Sequence, residues 1–277
     1  YSQTSIRRKS TPPTSRNCCH GTTSSSRQAS PTSFPKNPPN RKKPKNNPYV
    51  KISHTFTEQD SVVDLINEDY DILPVLSRFS LPLGFGSKTI GELCVESDIN
   101  VEVFLLIVNF LLSGDIDSHR LSVVTAREVA QFLHNSHNYY LQYKYPHIRT
   151  NLLSSLDPAH ADINPIIIKY FDDYVSEVEA HFHYEESTVF PYVKSLSEGK
   201  HDSSYNISIF SRRHDHQVES LLAELKNIIL RYYSTSVPYR MYDVLVDLYN
   251  CEEDLKQHAH IEDHILVPLI TRLESAK

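Results

Sequence analysis

Glycine and cysteine are scarce in this 277-residue sequence, and each scarcity excludes a class of protein. Six glycines against 16 prolines argue against a glycine-rich nucleotide-binding α/β enzyme. The four cysteines, Cys18, Cys19, Cys94 and Cys251, are too few and too scattered for a disulfide framework. They fit a reducing compartment, so we expect a cytoplasmic protein. No apolar run of about eighteen residues occurs, so the sequence predicts no membrane-spanning helix.

Acidic residues are absent from the first 50 positions, which hold ten Lys or Arg, eight prolines and fifteen Ser or Thr. Because the formal net charge of the whole chain is −6, residues 51–277 carry −16. A segment without apolar periodicity buries too little surface to offset its ordering entropy, so residues 1–55 are predicted to be a disordered basic arm. The arm could contact nucleic acid or an acidic surface, be a solvated linker, or be an extension that does not belong to the natural protein. It lacks interleaved aromatic residues, so we expect no nucleic-acid partner.

Residues 56–115 are predicted to form a small helical domain. Its first helix has an N-cap at Ser61 and should end or kink at Pro74. Further helices are predicted over residues 89–96 and 101–112. No cluster of titratable groups accompanies them, which is typical of a docking or dimerisation module. We therefore include a homodimer among the expected assemblies.

The remaining residues, 122–277, show four long stretches of helical periodicity. The first begins at a capping box over residues 125–128 and ends near Pro146 or a turn or two beyond. The third and fourth cover about 207–233 and 238–273. The connections are short and no strand pattern is credible. The predicted fold class is therefore all-α, with an antiparallel four-helix bundle.

Fifteen histidines are the unusual feature of the composition, and two of them begin copies of one pattern. The second and fourth predicted helices each read His-x-x-x-Glu, with an apolar residue and a proline five and six positions after the glutamate. The two copies are His181 to Pro191 and His258 to Pro268. A spacing of four places imidazole and carboxylate on one helical face. Two such helices can direct both pairs into the bundle core, where a divalent metal compensates the buried carboxylates.

The chemistry of these side chains narrows the choice of metal. Imidazole and carboxylate without thiolate favour Fe, Mn or Zn, and two carboxylates from two helices suit a bridged metal pair. Further candidate ligands are His137 in the first helix, His160 before the second and His214 in the third. His134, one turn before His137, is an alternative first ligand. Glu186 lies one residue off the ligand face and is a weaker candidate than its neighbour.

Residues 126–272 resemble the hemerythrin-like (HHE cation-binding) domain, and within it most of all the di-iron proteins of iron–sulfur cluster repair. The motifs that carry the resemblance stand at 137–146, 181–191, 214–215 and 258–268. The resemblance implies two iron ions per chain in an oxo- and carboxylate-bridged centre. The implied ligands are five imidazoles and two carboxylates: His137, His160, His181, Glu185, His214, His258 and Glu262.

The resemblance extends upstream to residues 61–112, which are similar to the small N-terminal domain of the same repair proteins. Those proteins carry two adjacent cysteines, whereas Leu83 and Gly84 occupy the corresponding positions here. Cys94 lies nearby, but a single thiol cannot form an intramolecular pair. Thiol chemistry at this loop is therefore not expected, although packing or dimerisation is.

Three functions are compatible with this ligand set. The resemblance implies a cytoplasmic non-haem di-iron protein of the nitrosative and oxidative stress response, which repairs iron–sulfur clusters or handles NO. Its partners would be NO or O₂ and damaged iron–sulfur proteins. An alternative is a hemerythrin-like sensor of O₂, NO or iron without turnover, which the missing cysteine pair favours. The third is a bundle with a purely structural metal. Because all three need the same ligands, the sequence leaves open whether the protein is an enzyme.

The basic arm generates the first prediction. Deletion of residues 1–50 should leave the metal content and the helicity unchanged, because the arm has no apolar periodicity and, apart from His20 and two cysteines, no candidate ligand. Metal analysis and circular dichroism of the shortened chain test this. A large loss of either quantity would show that the arm packs on the acidic remainder of the chain.

Overall fold

The described part of the chain is helical throughout. The computed structural model describes residues 54–200, 204–211 and 216–275, so all but the last residues of the predicted basic arm lie outside the described residues. No strand occurs in these ranges, where Ser61 and Thr89 form one isolated antiparallel bridge. The all-α prediction is confirmed. Among the same residues, no helix is both long and apolar enough to cross a membrane.

Five short helices form the N-terminal part of the described chain. They are α1 (Val62–Glu68), α2 (Leu73–Arg78), α3 (Ile90–Glu96), α4 (Val101–Ser113) and α5 (Ser118–Val123). Ser61 caps α1 as predicted, since its hydroxyl accepts a hydrogen bond from Val63 N at 3.1 Å. The expectation for Pro74 is corrected: α1 already ends at Glu68, and Pro74 is the second residue of α2. In the first turn of a helix the missing amide hydrogen of proline has no intrahelical partner to lose.

Four longer helical runs form the bundle. α6 (Ala126–Tyr139) continues into α7 (Tyr145–Ser155), and α8 (Asn164–Tyr184) continues into α9 (Phe190–Ser197). α10 (Ser208–Ser211) precedes α11 (His216–Tyr232), and α12 (Pro238–Ile261) continues into α13 (Val267–Ser275). α7, α8, α11 and α12 contact one another in a closed ring, which confirms the predicted four-helix bundle.

Three of these runs contain a widened, π-helical turn immediately before a proline-containing turn. The widened turns cover 140–144, 185–189 and 262–266. Amide hydrogens there reach back five residues, from Tyr145 to Tyr140, from Phe190 to Glu185 and from Val267 to Glu262. A proline inside a helix has no amide hydrogen and collides with the carbonyl four residues earlier. The widened turn accommodates that defect, so each helix continues past its proline.

Two apolar clusters fill the interior, and the bundle helices pass from one to the other. Along the second run, Phe182 belongs to the cluster formed by the bundle alone, whereas Val189 belongs to the cluster shared with the N-terminal helices. Along the fourth run, Cys251 and Ile261 mark the same change. The intervening residues include Glu185 in the second run and His258 in the fourth. A polar layer therefore separates the two apolar clusters.

The N-terminal helices share a core with the bundle. Phe104 of α4, Leu133 of α6 and Ile265 belong to one buried cluster, and residues 49–277 form one compact unit. The predicted boundary between residues 115 and 122 therefore does not separate two cores in the described chain. Leu83 is 84% exposed in the loop before α3.

Arg78 of α2 ties the N-terminal helices to the bundle through a buried charge. The residue is 2% exposed, and its guanidinium forms an ion pair with Asp254 of α12. Arg78 Nη2 also donates a hydrogen bond to the Tyr140 hydroxyl at 3.1 Å. The rings of Tyr139 and Tyr140 lie 5.0 and 4.9 Å from the guanidinium carbon. A buried charge with this many partners specifies one docking position for α2.

This ion pair generates the second prediction. Arg78→Met and Asp254→Leu should each lower the free energy of unfolding by about 3–5 kcal/mol, because each leaves the other charge buried without its partner. The double variant should lose less than the sum, since it removes both charges. Urea unfolding of the four proteins gives the coupling energy. Lys169→Met, at an exposed ion pair with Asp173, is the matched control and should cost about 1 kcal/mol or less. Additive losses at Arg78 and Asp254 would contradict this view.

Candidate metal centre

Four buried residues from three helical runs converge in the polar layer. They are His137, Glu185, His258 and Glu262, each at most 3% exposed. Each offers one ligand atom, and these four atoms all lie within 4.8 Å of one another. Four of the seven ligands implied by the sequence resemblance are thus brought together.

The contacts inside this cluster are short but poorly aligned as hydrogen bonds. His137 Nε2 lies 2.9 Å from Glu185 Oε2, and His258 Nε2 lies 2.8 Å from Glu262 Oε1. Within the described residues, His137 Nε2, His258 Nε2 and both oxygens of Glu185 are buried without a hydrogen bond of normal geometry. Lone pairs of nitrogen and oxygen therefore face a common region. This donor set suits Fe, Mn or Zn.

Glu186 orients His137 from the neighbouring helical run. His137 Nδ1 donates to Glu186 Oε1 at 2.7 Å, which leaves the Nε2 lone pair directed at the cluster. Carboxylates that hold a histidine in this way commonly fix the tautomer of a metal ligand. The same oxygen accepts a hydrogen bond from His134 Nδ1 at 2.9 Å. The sequence spacing predicts Glu186 only as a weaker ligand. It does not predict the hydrogen bond that orients His137, because that contact joins two different helices.

His134 was the alternative first ligand, and the structure places it outside the cluster. Its side chain is 44% exposed and bonded to Glu186, whereas His137 is 3% exposed and lies in the cluster. His181 lies at the edge of the cluster, since its Nε2 is 2.6 Å from Glu185 Oε1 and its side chain is 27% exposed. His181 can therefore add a fifth ligand on the solvent side. His214 lies outside the described residues.

His160 is not brought to the cluster. It ends a short 3₁₀ turn before α8, and its ring lies against Tyr233, with 5.2 Å between ring centroids. Glu185 follows the other end of α8, a helix of 21 residues. At about 1.5 Å per residue, roughly 30 Å of helix separate the two residues. The sequence resemblance assigned His160 from its order in the chain, and the length of α8 corrects that assignment in this conformation.

Burial determines the electrostatics of the cluster. It raises the pKa of Glu185 well above its usual value, and the nearby Glu262 carboxylate raises it further. Burial, together with the neighbouring His258, also lowers the pKa of His137 to about 2. Both shifts disfavour charged side chains in the metal-free protein. A cation would reverse the cost for the carboxylates, and it requires the neutral form of histidine that burial already favours.

Aromatic side chains cover one side of the cluster, and a cavity opens on another. The Phe182 ring stacks on His137 at 4.1 Å between centroids, and Phe190 stacks on it at 5.5 Å. A cavity of about 440 Å³ is lined by residues that include His181, His258 and Glu262. The aromatic side excludes water, while the cavity gives a small ligand access to the ligand atoms.

Tyr140 occupies in the first run the place that the glutamates occupy in the other two, six residues before a proline. It is fully buried, and its ring centroid lies 6.0 Å from that of His258. A phenol there supplies no carboxylate, so Glu185 and Glu262 are the two acidic residues of the cluster among the described residues. Tyr140 instead connects the cluster to Arg78.

The raised pKa of Glu185 generates the third prediction. In the chelator-treated protein, Glu185→Gln should raise the melting temperature, and the gain should grow as the pH rises from about 4.3 toward 8. A carboxyl with a raised folded pKa stabilises the fold fully below its unfolded pKa of about 4.3. That stability is lost as the pH rises through the folded value, and glutamine cannot ionise.

Thermal unfolding across this pH range tests the prediction, with the exposed Glu179→Gln on α8 as a matched control that should show no such trend. Addition of Fe(II) or Zn(II) should stabilise the parent protein more than Glu185→Gln. A gain independent of pH would show that Glu185 is already ionised in the metal-free fold.

Comparison with known proteins agrees with this geometry. Residues 145–270 match the family model of the hemerythrin HHE cation-binding domain, a region of somewhat less than half of the chain. The match includes Glu185, His258 and Glu262, and it begins after His137. A search of curated proteins found no match. Domains of this family bind a metal, typically iron, and residues 145–270 are therefore a hemerythrin-like metal-binding domain.

Proposed function

We propose that this chain is a non-haem di-iron protein that acts on NO or repairs iron–sulfur clusters under nitrosative and oxidative stress. The observation that carries the proposal is the buried cluster, in which two carboxylates from two helices face each other between imidazoles. Two carboxylates that can each contact two cations suit a metal pair, and His181 beside Glu185 gives the cluster one ligand more than the four of a closed structural zinc site.

The residues of the cluster would hold the metal pair in different positions. Glu185 and Glu262 would bridge the two ions, and His137, His181 and His258 would hold their outer sides. His214 is a further ligand in this proposal, although it lies outside the described residues. Iron bound there would supply one-electron chemistry and a binding position for a diatomic ligand.

The surrounding side chains prepare this site. Glu186 keeps a proton on His137 Nδ1 and thereby keeps Nε2 available to the metal. The Phe182 and Phe190 rings exclude water from one side. The cavity beside His181 would admit NO or O₂ from the other side. Iron–sulfur proteins in need of repair would be the macromolecular partners.

A sensor of O₂, NO or iron is the second candidate function, and the N-terminal helices favour it. Leu83 and Gly84 replace the cysteine pair of the resembling repair proteins, so thiol chemistry is missing from this loop. Arg78 of α2 meanwhile reaches Tyr140, whose ring faces His258. Reversible binding of a diatomic ligand without turnover would favour the sensor, and NO reduction or restoration of an apo-cluster protein would favour the repair protein.

The metal stoichiometry is the fourth prediction. After anaerobic reconstitution the chain should bind about two irons, and Glu185→Ala or Glu262→Ala should disrupt the pair more than His258→Ala, because a bridging carboxylate serves both ions. Metal analysis together with Mössbauer spectroscopy measures the stoichiometry and the magnetic coupling. Glu179→Ala on the exposed face of α8 is the matched control. One zinc per chain without iron, or a coupled pair that survives in both glutamate variants, would contradict the proposal.

The thiols of the described chain generate the fifth prediction. Burial raises the pKa of Cys94 to about 11 and that of Cys251 to about 12, so neither forms a reactive thiolate at neutral pH. The double variant Cys94→Ser/Cys251→Ser should therefore keep both NO consumption and cluster repair. Iron content and melting temperature provide the control for folding. Loss of either activity while both controls hold would show that a thiol takes part.

A further inference from the structure

A stripe of exposed tyrosines and one valine runs along the outer face of α12. Tyr239, Tyr242, Val246 and Tyr249 are 64, 62, 58 and 48% exposed. Their spacing of three, four and three residues places them on about 80° of the helix surface. The opposite face of α12 is buried in the bundle through Val244 and Leu248. The stripe is therefore additional to the face that α12 needs for folding.

The spacing continues into two exposed charged residues. Glu253 and Lys256 follow Tyr249 at four and seven residues, so the stripe extends over 18 residues, or about 26 Å of helix. Apolar residues that repeat in steps of three and four form the contact seam of paired helices. Tyrosine is also enriched in interfaces, because its ring is apolar while its hydroxyl can bond.

The stripe is complementary to itself in the antiparallel direction. When two copies are aligned with Val246 opposite Tyr249 of the second copy, Tyr242 meets Glu253, and Tyr239 meets Lys256. The first of these polar pairs allows a hydrogen bond from a phenol to a carboxylate, and the second allows a cation–π contact. Parallel alignment would instead place Glu253 opposite Glu253 and Lys256 opposite Lys256. Like charges at these positions disfavour it.

Contacts inside one chain leave these groups available. Lys256 has a loose ion pair with Glu252 at 3.8 Å, and the side chain of Lys256 is 44% exposed. Lys226 of α11 lies 4.3 Å from the Tyr249 ring centroid and is held by Glu252 at 2.6 Å, which supports one face of that ring. Within the described residues, the hydroxyls of Tyr239 and Tyr242 have no hydrogen-bond partner.

We propose that a second copy of this chain docks on this stripe and that α12 pairs with itself antiparallel about a two-fold axis. Such an axis repeats every contact, so Val246 packs on Tyr249 twice and each polar pair forms twice. The occupant is a second copy because the stripe supplies both members of each pair. The metal cluster lies on the inner side of the same helix and is not part of this surface.

Sedimentation equilibrium of the full chain tests the assembly. The parent protein should be a dimer, and Val246→Glu should raise the dissociation constant at least tenfold, because it places two carboxylates beside the axis. Val95→Glu, the same change at an exposed valine of α3, is the matched control and should leave the dimer intact. Melting temperatures of both variants should equal that of the parent. A monomeric parent, or a dimer that Val246→Glu leaves unchanged, overturns the proposal.

Disulfide trapping tests the alignment. Two tagged chains, Val246→Cys and Tyr249→Cys, both with Cys18 and Cys19 replaced by serine, should cross-link with each other more than either does with itself. Cys94 and Cys251 are buried and do not interfere. Predominant cross-linking of the Tyr249→Cys chain with itself would indicate parallel pairing and overturn the antiparallel arrangement.

Discussion

Two glutamates buried inside a helical bundle impose the main constraint on this protein. Glu185 and Glu262 are at most 1% exposed, and an ionised carboxylate in that position is costly unless a cation or a donor compensates it. The imidazoles of His137 and His258 lie beside them, that of His181 lies at the edge, and Glu186 fixes His137 from outside. The polar layer that results interrupts the apolar core and determines where the two apolar clusters end.

The buried ion pair that anchors the N-terminal helices to the bundle lies next to this polar layer. Arg78 enters the bundle one helical turn from His258, since its partner Asp254 lies four residues before that histidine. Tyr140 contacts both the guanidinium and the histidine ring. A displacement of α2 would therefore reach His258 by two routes, through Asp254 and through Tyr140.

Local signals in the sequence predicted most of the helices. Capping residues such as Ser61 and Thr125 accept hydrogen bonds from the next few backbone amides. Their effect can therefore be predicted from the sequence without knowledge of the fold. The His-x-x-x-Glu spacing likewise identified Glu185 and Glu262, because helix geometry alone places such residues on one face. Pro74 was misjudged, since a proline stops one helix or opens the next depending on where the preceding helix ends.

Residues that act across helices were not predictable in this way. From the sequence alone, Arg78 would be taken for a surface residue of a short helix. Its burial depends on how α2 docks against α12. The sequence predicts Glu186 only as a weaker candidate ligand. It becomes the partner of His137 because α6 packs against the second run. For His160 the error runs the other way. The resemblance assigned it as a metal ligand from its order in the chain, but the length of α8 keeps it away from the cluster.

The widened turns have a consequence for the length of the helices. A turn that bonds five residues back holds one residue more than an α-helical turn, so each behaves as a one-residue insertion. Removal of one residue within 185–189 would return this turn to α-helical geometry, and Pro191 would then collide with the carbonyl four residues before it. The resulting kink would tilt α9 and move Val193 and Leu196 out of the core that the bundle shares with the N-terminal helices. The residue count of each widened turn is therefore fixed by the proline that follows it.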